Sequence, residues 1–200
     1  MQLHKRDVVD AATALLDEYG IADLSMRRLA RELAVSPGAL YWHFANKQQL
    51  LGAVADRILN PLNNPATPSA ETSTWRDRIV GTCERLREAL LSHTDGAELV
   101  SASFAAGQSA AMSTVLAQLS AAAADAGVEP PHAELAARTV IYYALGFTAD
   151  EQSRMQWDAA GADVTHTLWA EDTGARFAFG LRLLVDGIAA HSHTEADALS

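Results

Sequence analysis

The chain has 200 residues, of which 49% are hydrophobic and 6% aromatic, and its formal net charge is −10 at pH 7. This length can bury a sizeable core, either in one domain or in a small head joined to a body, and its many Ala and Leu residues favour packed helices. The single cysteine, Cys83, excludes an internal disulfide and fits a reducing cytoplasm, where we expect a buried, inert thiol. No stretch approaches the length of a membrane span, and the first residues lack the apolar region of a signal peptide.

The first predicted element is a helix at residues 5–19. Apolar residues recur there at helical spacing: Val8, Ala12, Leu15, Leu16 and Tyr19. Gly20 is expected to close this helix, whose predicted role is to support the elements that follow.

Two short helices with a tight turn between them are predicted for residues 24–47, LSMRRLARELAVSPGALYWHFANK. Ser25 can cap the first helix and Ser36 the second, which places Pro37 where its missing N–H costs nothing. Apolar residues four apart direct the second helix back onto the first, and its other face carries Gly38, Ala39, Tyr41 and His43. This is the helix-turn-helix pattern, in which the second helix enters the major groove of DNA.

Charge is unevenly distributed along the chain. Residues 25–47 have a net charge of +3, from Arg27, Arg28, Arg31 and Lys47 against Glu32. Phosphate affinity depends on the field at the contact face, so an acidic total charge does not exclude DNA binding. The alternative is a pair of core helices in another all-α domain, although such a pair needs neither the Tyr-Trp-His run nor the cations.

The chain after this stretch is predicted to form a separate body. A linking helix is expected at residues 47–59, followed by a proline-rich connection at residues 60–73. The sequence therefore divides into a helix-turn-helix DNA-binding domain, residues 1–47, and a ligand-binding and dimerisation domain, residues 48–200.

Caps and breaks predict the first helices of the body. Thr74 is expected to cap a long helix, with Asp77 three residues later. The region that follows, residues 95–126, is rich in alanine and is expected to break at Gly107.

Two later helices are predicted to be apolar on two sides. The helix after Pro130-Pro131 has the stripes Ala136, Val140, Tyr143, Phe147 and Leu135, Thr139, Tyr142, Gly146. The helix at about 173–190 has the stripes Phe177, Leu181, Leu184, Ile188 and Gly180, Leu183, Gly187. Such helices must be covered on both sides, either in one large monomeric bundle or in a dimer. We expect residues 154–171 to be largely irregular and the tail, residues 191–200, to be mobile.

These segments carry a resemblance to a known family. LSMRRLARELAVSPGALYWHFANKQQLL resembles the DNA-binding head of the tetracycline-repressor (TetR) family, above all in LYWHFANK. LREALLSHTDGAELV, YYALGFTADEQ and ARFAFGLRLLVDGI resemble the ligand-binding and dimer helices of the tetracycline repressor's own subgroup. The resemblance implies an all-α fold, with an N-terminal three-helix helix-turn-helix head and a C-terminal helical body for ligand binding and dimerisation. It also implies a homodimer that binds double-stranded operator DNA.

The resemblance further implies which residues contact DNA. They are Ser25, Arg27, Pro37, Gly38, Ala39, Tyr41, His43 and Lys47. Tyr41, His43 and Lys47 are expected to contact phosphate, and Arg27 to reach a base or phosphate at the groove edge. The first turn of the recognition helix offers no bidentate donor, whereas the tetracycline repressor has larger polar readers there. The chain is therefore expected to read a different operator, through Arg27 and DNA shape.

The subgroup binds a magnesium–tetracycline chelate through a histidine, and Val100 stands at that position here. Phe104 replaces a charged residue, and Asp150 matches an acidic position associated with the metal. Because one carboxylate without its histidine is a weak metal site, the resemblance implies an apolar, metal-free cavity. The candidate ligand-binding residues are Thr82, Leu86, Val100, Phe104, Met112, Leu116, Gln118, Tyr142, Phe147 and Trp169. The alternative for each of them is an ordinary core position.

No nucleophile–base arrangement or phosphate-binding loop is present, so we expect neither an enzyme nor a cofactor. His132 and His166 are expected to be lone histidines. The sequence predicts a cytoplasmic transcriptional regulator, a repressor released from its operator by a small, mostly apolar effector of unknown identity. The alternative is a helix-turn-helix dimer whose body is a protein-interaction module without a small-molecule effector.

Overall fold

The computed structural model describes residues 3–63, 73–130, 132–161 and 172–198. Within these ranges the chain forms nine α-helices and no strand. The helices are α1 (Lys5–Asp23), α2 (Met26–Glu32), α3 (Pro37–Tyr41), α4 (Lys47–Ile58), α5 (Trp75–Leu91), α6 (Gly96–Ala105), α7 (Ala110–Asp125), α8 (His132–Ala159) and α9 (Thr173–Ala198). A single 3-10 turn, Asn60–Asn63, follows α4. The expected all-α fold is confirmed.

Side-chain caps begin the two helices of the helix-turn-helix where the sequence predicts them. Ser25 Oγ accepts a hydrogen bond from the backbone N–H of Arg28 at 3.2 Å, at the start of α2. Ser36 Oγ accepts one from the backbone N–H of Ala39 at 3.3 Å, and Pro37 is the first residue of α3. These bonds satisfy N–H groups that have no partner inside their helices.

A reciprocal cap begins α5, as predicted. Thr74 Oγ1 accepts from the backbone N–H of Asp77 at 3.2 Å, and Asp77 Oδ2 accepts from the backbone N–H of Thr74 at 3.0 Å. Hydrogen bonds from the Thr74 side chain and backbone lower the pKa of Asp77, because they favour its charged form. The cap fixes the start of a helix that runs to Leu91.

The first helix is longer than predicted. Gly20 breaks its helical conformation with φ 76° and ψ 174°, but another turn follows to Asp23. The backbone N–H of Ile21 donates to Asp95 Oδ2 at 2.9 Å, so a distant carboxylate caps the restarted turn. A Cβ at position 20 would lie 2.6 Å from the same carboxylate oxygen, which explains why glycine occupies this kink.

The chain forms two compact units. The first comprises Met1–Asn63 and Glu88–Ser113, and the second Asn64–Arg87 and Thr114–Ser200. In the first unit α4 packs against α1 and α6, around buried side chains that include Leu16, Leu29, Leu40, Phe44, Leu50 and Val54. The head helices and α6 therefore share one core. The predicted division of the chain at residue 47 stays a prediction.

In the second unit, α8 packs against α9 through an aromatic cluster. The ring centroids of Tyr143, Phe147 and Phe177 lie 5.4–5.8 Å apart. The Tyr143 hydroxyl donates to the backbone carbonyl of Phe177 at 2.9 Å, and burial raises the pKa of this tyrosine. A Cβ at Gly180 would lie 2.3 Å from the Tyr143 hydroxyl oxygen, so glycine is needed where the two helices meet.

A partly buried ion pair joins three helices of the second unit. The Arg87 guanidinium donates to both carboxylate oxygens of Glu151, at 2.9 and 2.6 Å. It also donates to Thr173 Oγ1 at 3.2 Å and lies 5.4 Å from the centre of the Phe177 ring. The side chains of Arg87 and Glu151 are only 17% and 9% exposed. Arg87 thereby connects α5 to α8 and α9.

Two predictions for the C-terminal part are wrong. Residues 154–159 are helical rather than irregular, since α8 continues to Ala159 and Arg154 pairs with Asp150 one turn earlier at 2.8 Å. The last helix continues as far as Ala198, in a segment without glycine or proline, and the predicted mobility of the tail stays a prediction. Finally, His132 is not lone, because its ring lies edge-on to that of His191 with 5.7 Å between the centroids.

Candidate functional site

The recognition helix α3 is held to its unit by one side of its surface. Leu40 is fully buried within it, and Phe44, just after it, is 1% exposed. The opposite side is open, because Pro37 and Gly38 are exposed and Tyr41 is 51% exposed. The helix therefore presents its first turn and its tyrosine outward, as a groove-reading helix does.

The first turn of α3 has little side-chain chemistry with which to read bases. Pro37 and Gly38 are exposed and Ala39 is partly exposed. A Cβ at Gly38 would meet nothing closer than Ser36 Oγ at 3.8 Å, so packing does not impose the glycine. A backbone this bare can approach a base edge closely, and the Ala39 methyl can contact a thymine methyl.

The cations beside α3 differ in availability. The Arg28 guanidinium donates to Asp23 at 2.5 Å and lies 3.7 Å from the centre of the Tyr19 ring. Arg27 and Arg31 are exposed, and neither forms an ion pair with any residue in the described ranges. Arg27, the cation of α2 that is predicted to contact DNA, therefore has no ion pair within the described residues that would compete with a phosphate or a base.

His43 lies on the connection from α3 to α4, and Lys47 is the first residue of α4. Asn46 Oδ1 accepts from the backbone N–H of Gln49 at 2.9 Å, which fixes the start of α4 at Lys47. His43 is partly exposed, and its backbone N–H donates to the Leu40 carbonyl at 2.9 Å. A capped helix start beside a cation is suited to holding a phosphate.

Trp42 is a candidate DNA contact that the sequence reasoning did not assign. Its side chain is 90% exposed, immediately after α3 and beside Tyr41. The signal was present in the LYWHFANK motif, but exposure distinguishes this tryptophan from a core aromatic such as Phe44. An aromatic ring left in solvent beside a recognition helix is a natural partner for the sugar–phosphate backbone.

The candidate ligand residues occupy different environments. Thr82, Leu86, Val100 and Met112 are buried; Phe104, Leu116 and Phe147 are partly exposed; Gln118 and Tyr142 are exposed. Val100, Phe104 and Met112 belong to the first unit, and the others belong to the second, apart from Trp169, which lies outside the described residues. Val100, which the resemblance places at the subgroup's metal-ligand position, is fully buried and apolar. The ligand assignments stay predictions.

The structure contains a groove that the sequence did not predict. It has a volume of about 420 Å³ and lies along α8 and α9 of the second unit. Its lining residues are Val128, His132, Leu135, Ala136, Thr139, Val140, Leu183, Leu184, Gly187, Ile188 and His191. None of the candidate ligand residues lines it.

The same two helices expose large apolar side chains. Leu135 and Tyr142 on α8 are both 58% exposed, and Phe179 and Leu183 on α9 are 56% and 59% exposed. These residues, together with the groove, form what we term the α8–α9 face. They include members of the second stripe that the sequence assigns to each helix. Large exposed apolar side chains on the two helices that line a groove are typical of a protein–protein interface.

Neither the cysteine nor the metal-ligating side chains of the described residues form a further candidate site. Cys83 is fully buried, as expected, and burial raises the pKa of its thiol to about 12, so it is not a nucleophile near pH 7. Among the described residues, no three His, Cys, Asp or Glu side chains lie together as metal ligands would. In those residues no single helix is long and apolar enough to span a membrane; only α6 and α7 taken together are, and they are bent by 80°.

Comparison with known proteins identifies the family. Residues 8–54 match the model for bacterial regulatory proteins of the tetR family, and residues 67–169 match that for the tetracycline repressor-like C-terminal domain. The chain belongs to the TetR family. It is 35% identical to the class A tetracycline repressor from transposon 1721 of Escherichia coli over 76% of this chain and 68% of that protein. The expected family and the DNA-binding regulatory function are confirmed.

Two solved structures of relatives support the same family assignment for this TetR-family regulator. Mycobacterium smegmatis BioQ is 62% identical, with a TM-score of 0.85 over 95% of this chain and 99% of that one. BioQ bound to its natural double-stranded DNA operator is 59% identical, with a TM-score of 0.80 over 95% of this chain and 100% of that one. The helix-turn-helix and the helical body are thus those of a TetR-family transcriptional regulator.

Proposed function

We propose that the protein is a homodimeric repressor, acting in the cytoplasm, that leaves its operator when a small, mostly apolar molecule binds its body. The observation that carries the DNA-binding part is the surface formed by Arg27 of α2, the exposed side of α3, Trp42, His43 and Lys47, which we term the recognition face. Leu40 anchors α3 by its buried side, and both Tyr41 and Arg27 are exposed. A relative at 59% identity was solved with its operator, which supports the same use of this face.

The proposed DNA-binding domain is residues 1–47. Its contacts are Ser25, Arg27, Pro37, Gly38, Ala39, Tyr41, His43 and Lys47, with Trp42 added on the strength of its exposure. Tyr41, His43 and Lys47 hold phosphates and set the register, whereas Arg27 carries base preference. A Ser36-Pro37-Gly38 start leaves much of the remaining specificity to DNA shape.

The proposed dimer forms through the α8–α9 face. Its exposed Leu135, Tyr142, Phe179 and Leu183 are the apolar side chains that a second copy would cover. TetR-family members are dimers, and two heads reading paired half-sites need a spacing of roughly 34–36 Å between successive major grooves. A symmetric pairing of this face with itself gives a twofold dimer, which matches a pair of related half-sites.

The proposed effector is small, largely apolar and free of metal. Leu86, Val100 and Met112 are fully buried and apolar, and Val100 replaces the histidine that binds metal in the tetracycline subgroup. The effector acts only through its difference in affinity for conformers with correctly and incorrectly spaced heads. By reciprocity, operator DNA weakens effector binding by the same factor.

The test begins with DNA. The protein is used to select duplexes from a random-sequence library, and the recovered sequence is expected to contain two related half-sites about one helical turn apart. Small apolar compounds are then screened for release of the labelled duplex, and a releasing compound is titrated with and without saturating duplex. Failure to enrich any sequence contradicts the DNA-binding proposal; effector affinity that ignores the duplex contradicts the release mechanism.

A further inference from the structure

The linking helix α4 contacts the turn between α6 and α7, and both belong to the first unit. Gly52 lies against the backbone there, since a Cβ at this position would be 2.2 Å from the Gln108 carbonyl oxygen. One turn further along α4, Asp56 Oδ1 accepts from the Ser109 hydroxyl at 2.7 Å and from the Ala111 N–H at 2.9 Å. Gly52 and Asp56, which are one helical turn apart on α4, therefore both contact the connection between α6 and α7. Gly52 does so by close packing and Asp56 by hydrogen bonds.

Asp56 also completes the cap of another helix. Ser109 Oγ accepts from the backbone N–H of Met112 at 3.1 Å, as an N-cap residue does. The Ser109 hydroxyl donates a hydrogen bond to Asp56, and the carboxylate of Asp56 also accepts one from the backbone N–H of Ala111 at the start of α7. A carboxylate at a helix N-terminus is favourable, and Ser109 is only 3% exposed, so water does not replace this bond readily.

We propose that Asp56 is a positioning residue for operator binding. By capping α7 from α4, it fixes the angle of α4 to the α6–α7 turn, and we term the Asp56–Ser109–Ala111 contact the α4 clamp. Since α3 ends at Tyr41 and α4 begins at Lys47, a change in the angle of α4 moves the proposed DNA contacts at both positions. This inference rests on the proposed function of the head.

The clamp acts through conformational freedom rather than through DNA contact. A head whose linking helix is held in one orientation loses less freedom when it docks on DNA than a head that samples several. Loss of the clamp therefore lowers operator affinity without removing a phosphate contact. Coupling between sites of this kind is worth about five- to 150-fold in affinity.

The experiment compares two cap losses in the full-length protein. Asp56→Ala removes the clamp, whereas Asp77→Ala removes the cap of α5, whose first turn belongs to the second unit. Affinity is measured for the duplex that the wild-type protein selects, below the unfolding temperature of both variants. Asp56→Ala is expected to weaken binding by about five- to 150-fold with an unchanged dependence on salt, because no counterion-releasing contact is lost. Asp77→Ala is expected to lower the melting temperature but keep wild-type affinity.

Further variants keep the test decisive if Asp56→Ala folds poorly. Asp56→Asn retains an acceptor for the Ala111 N–H and is expected to lose less affinity than Asp56→Ala. Ser109→Ala is expected to weaken binding, and to add little when combined with Asp56→Ala, because both remove the same contact.

Two results would overturn the clamp: affinity in Asp56→Ala and Ser109→Ala no lower than in Asp77→Ala, or losses that add fully in the double variant. A wild-type protein that selects no duplex would overturn the proposed function and the clamp together. If the wild-type protein selects a duplex and every clamp variant binds it as tightly as the wild type does, the result overturns the clamp but not the proposed function.

Discussion

The recognition face and the α8–α9 face both expose large side chains, but of different chemistry. Around α3 the exposed groups are Tyr41, Trp42 and cations such as Arg27, while the apolar side chains are turned inward. On the α8–α9 face the exposed groups are Leu135, Leu183 and other apolar side chains. A surface of cations and exposed aromatic side chains is suited to binding phosphates and bases, whereas an apolar surface is suited to binding another protein chain.

Polar groups also occur in two different environments. Ser25 and Ser36 of the first unit cap helices at the surface. The Arg87–Glu151 pair of the second unit is largely removed from solvent. We expect the largest effect on the stability of the second unit and the smallest where a single hydrogen bond to DNA is removed.

The largest effect is expected at the buried ion pair. Glu151→Ala leaves the Arg87 guanidinium without its carboxylate in a site where Arg87 is 17% exposed, and we expect the free energy of unfolding to fall by about 3–5 kcal/mol. Urea denaturation at one fixed protein concentration measures it. The control is Asp150→Ala, which breaks an exposed pair with Arg154 and should cost about 0.5 kcal/mol or less. Equal losses in the two variants contradict this account of the second unit.

The next effect concerns the α8–α9 face. Leu183→Asp places a charge on a side chain that is 59% exposed in the single chain, so the fold should tolerate it. The proposed dimer should weaken by at least about 2 kcal/mol, roughly thirtyfold, because the charge is desolvated when the second copy covers it. Sedimentation equilibrium gives the dissociation constant. Ala117→Asp, a similar change on the exposed surface of α7, should leave it unchanged; no difference between the two variants contradicts the assigned dimer face.

The elements that sequence predicts well are those with local causes. Ser25, Ser36 and Thr74 cap helices whose first turns lie within three residues, so spacing alone identifies them. The break at Gly107 follows equally from local conformation, with a φ of +64°. The same holds for the recognition helix, whose proline, exposed tyrosine and buried leucine follow from a five-residue pattern.

The features that sequence misses depend on distant partners. The turn after Gly20 is capped by Asp95, 74 residues from the Ile21 N–H that it binds. Glu151 and Arg87 are 64 residues apart, and Asp56 and Ser109 are 53 apart. Nothing in the spacing of a carboxylate along its own helix reveals which remote helix it will meet. The outer stripes of α8 and α9 were predicted, but their exposure follows only from how one chain packs.

The recognition face yields the third prediction. Arg27→Ala removes an exposed cation that has no ion-pair partner among the described residues, and discrimination between the selected duplex and its single-base variants should fall by about 1–3 kcal/mol. Arg28→Ala is the matched control, because Asp23 and Tyr19 already hold that guanidinium. Binding to a panel of duplex variants measures both. Unchanged base preference in Arg27→Ala would contradict its role in base reading and leave specificity to the first turn of α3 and to DNA shape.

The smallest effects separate charge from hydrogen bonding at the phosphates. Lys47→Ala should weaken binding to all duplexes alike and reduce the salt dependence of log affinity by about one unit of slope. Tyr41→Phe keeps the exposed ring and removes only the hydroxyl, so it should cost about 1 kcal/mol on every duplex and leave the slope unchanged. Affinities measured across a range of salt concentrations distinguish the two. If Tyr41→Phe instead changes base preference, the tyrosine reads bases, and the division between phosphate-holding and base-reading residues on this face has to be redrawn.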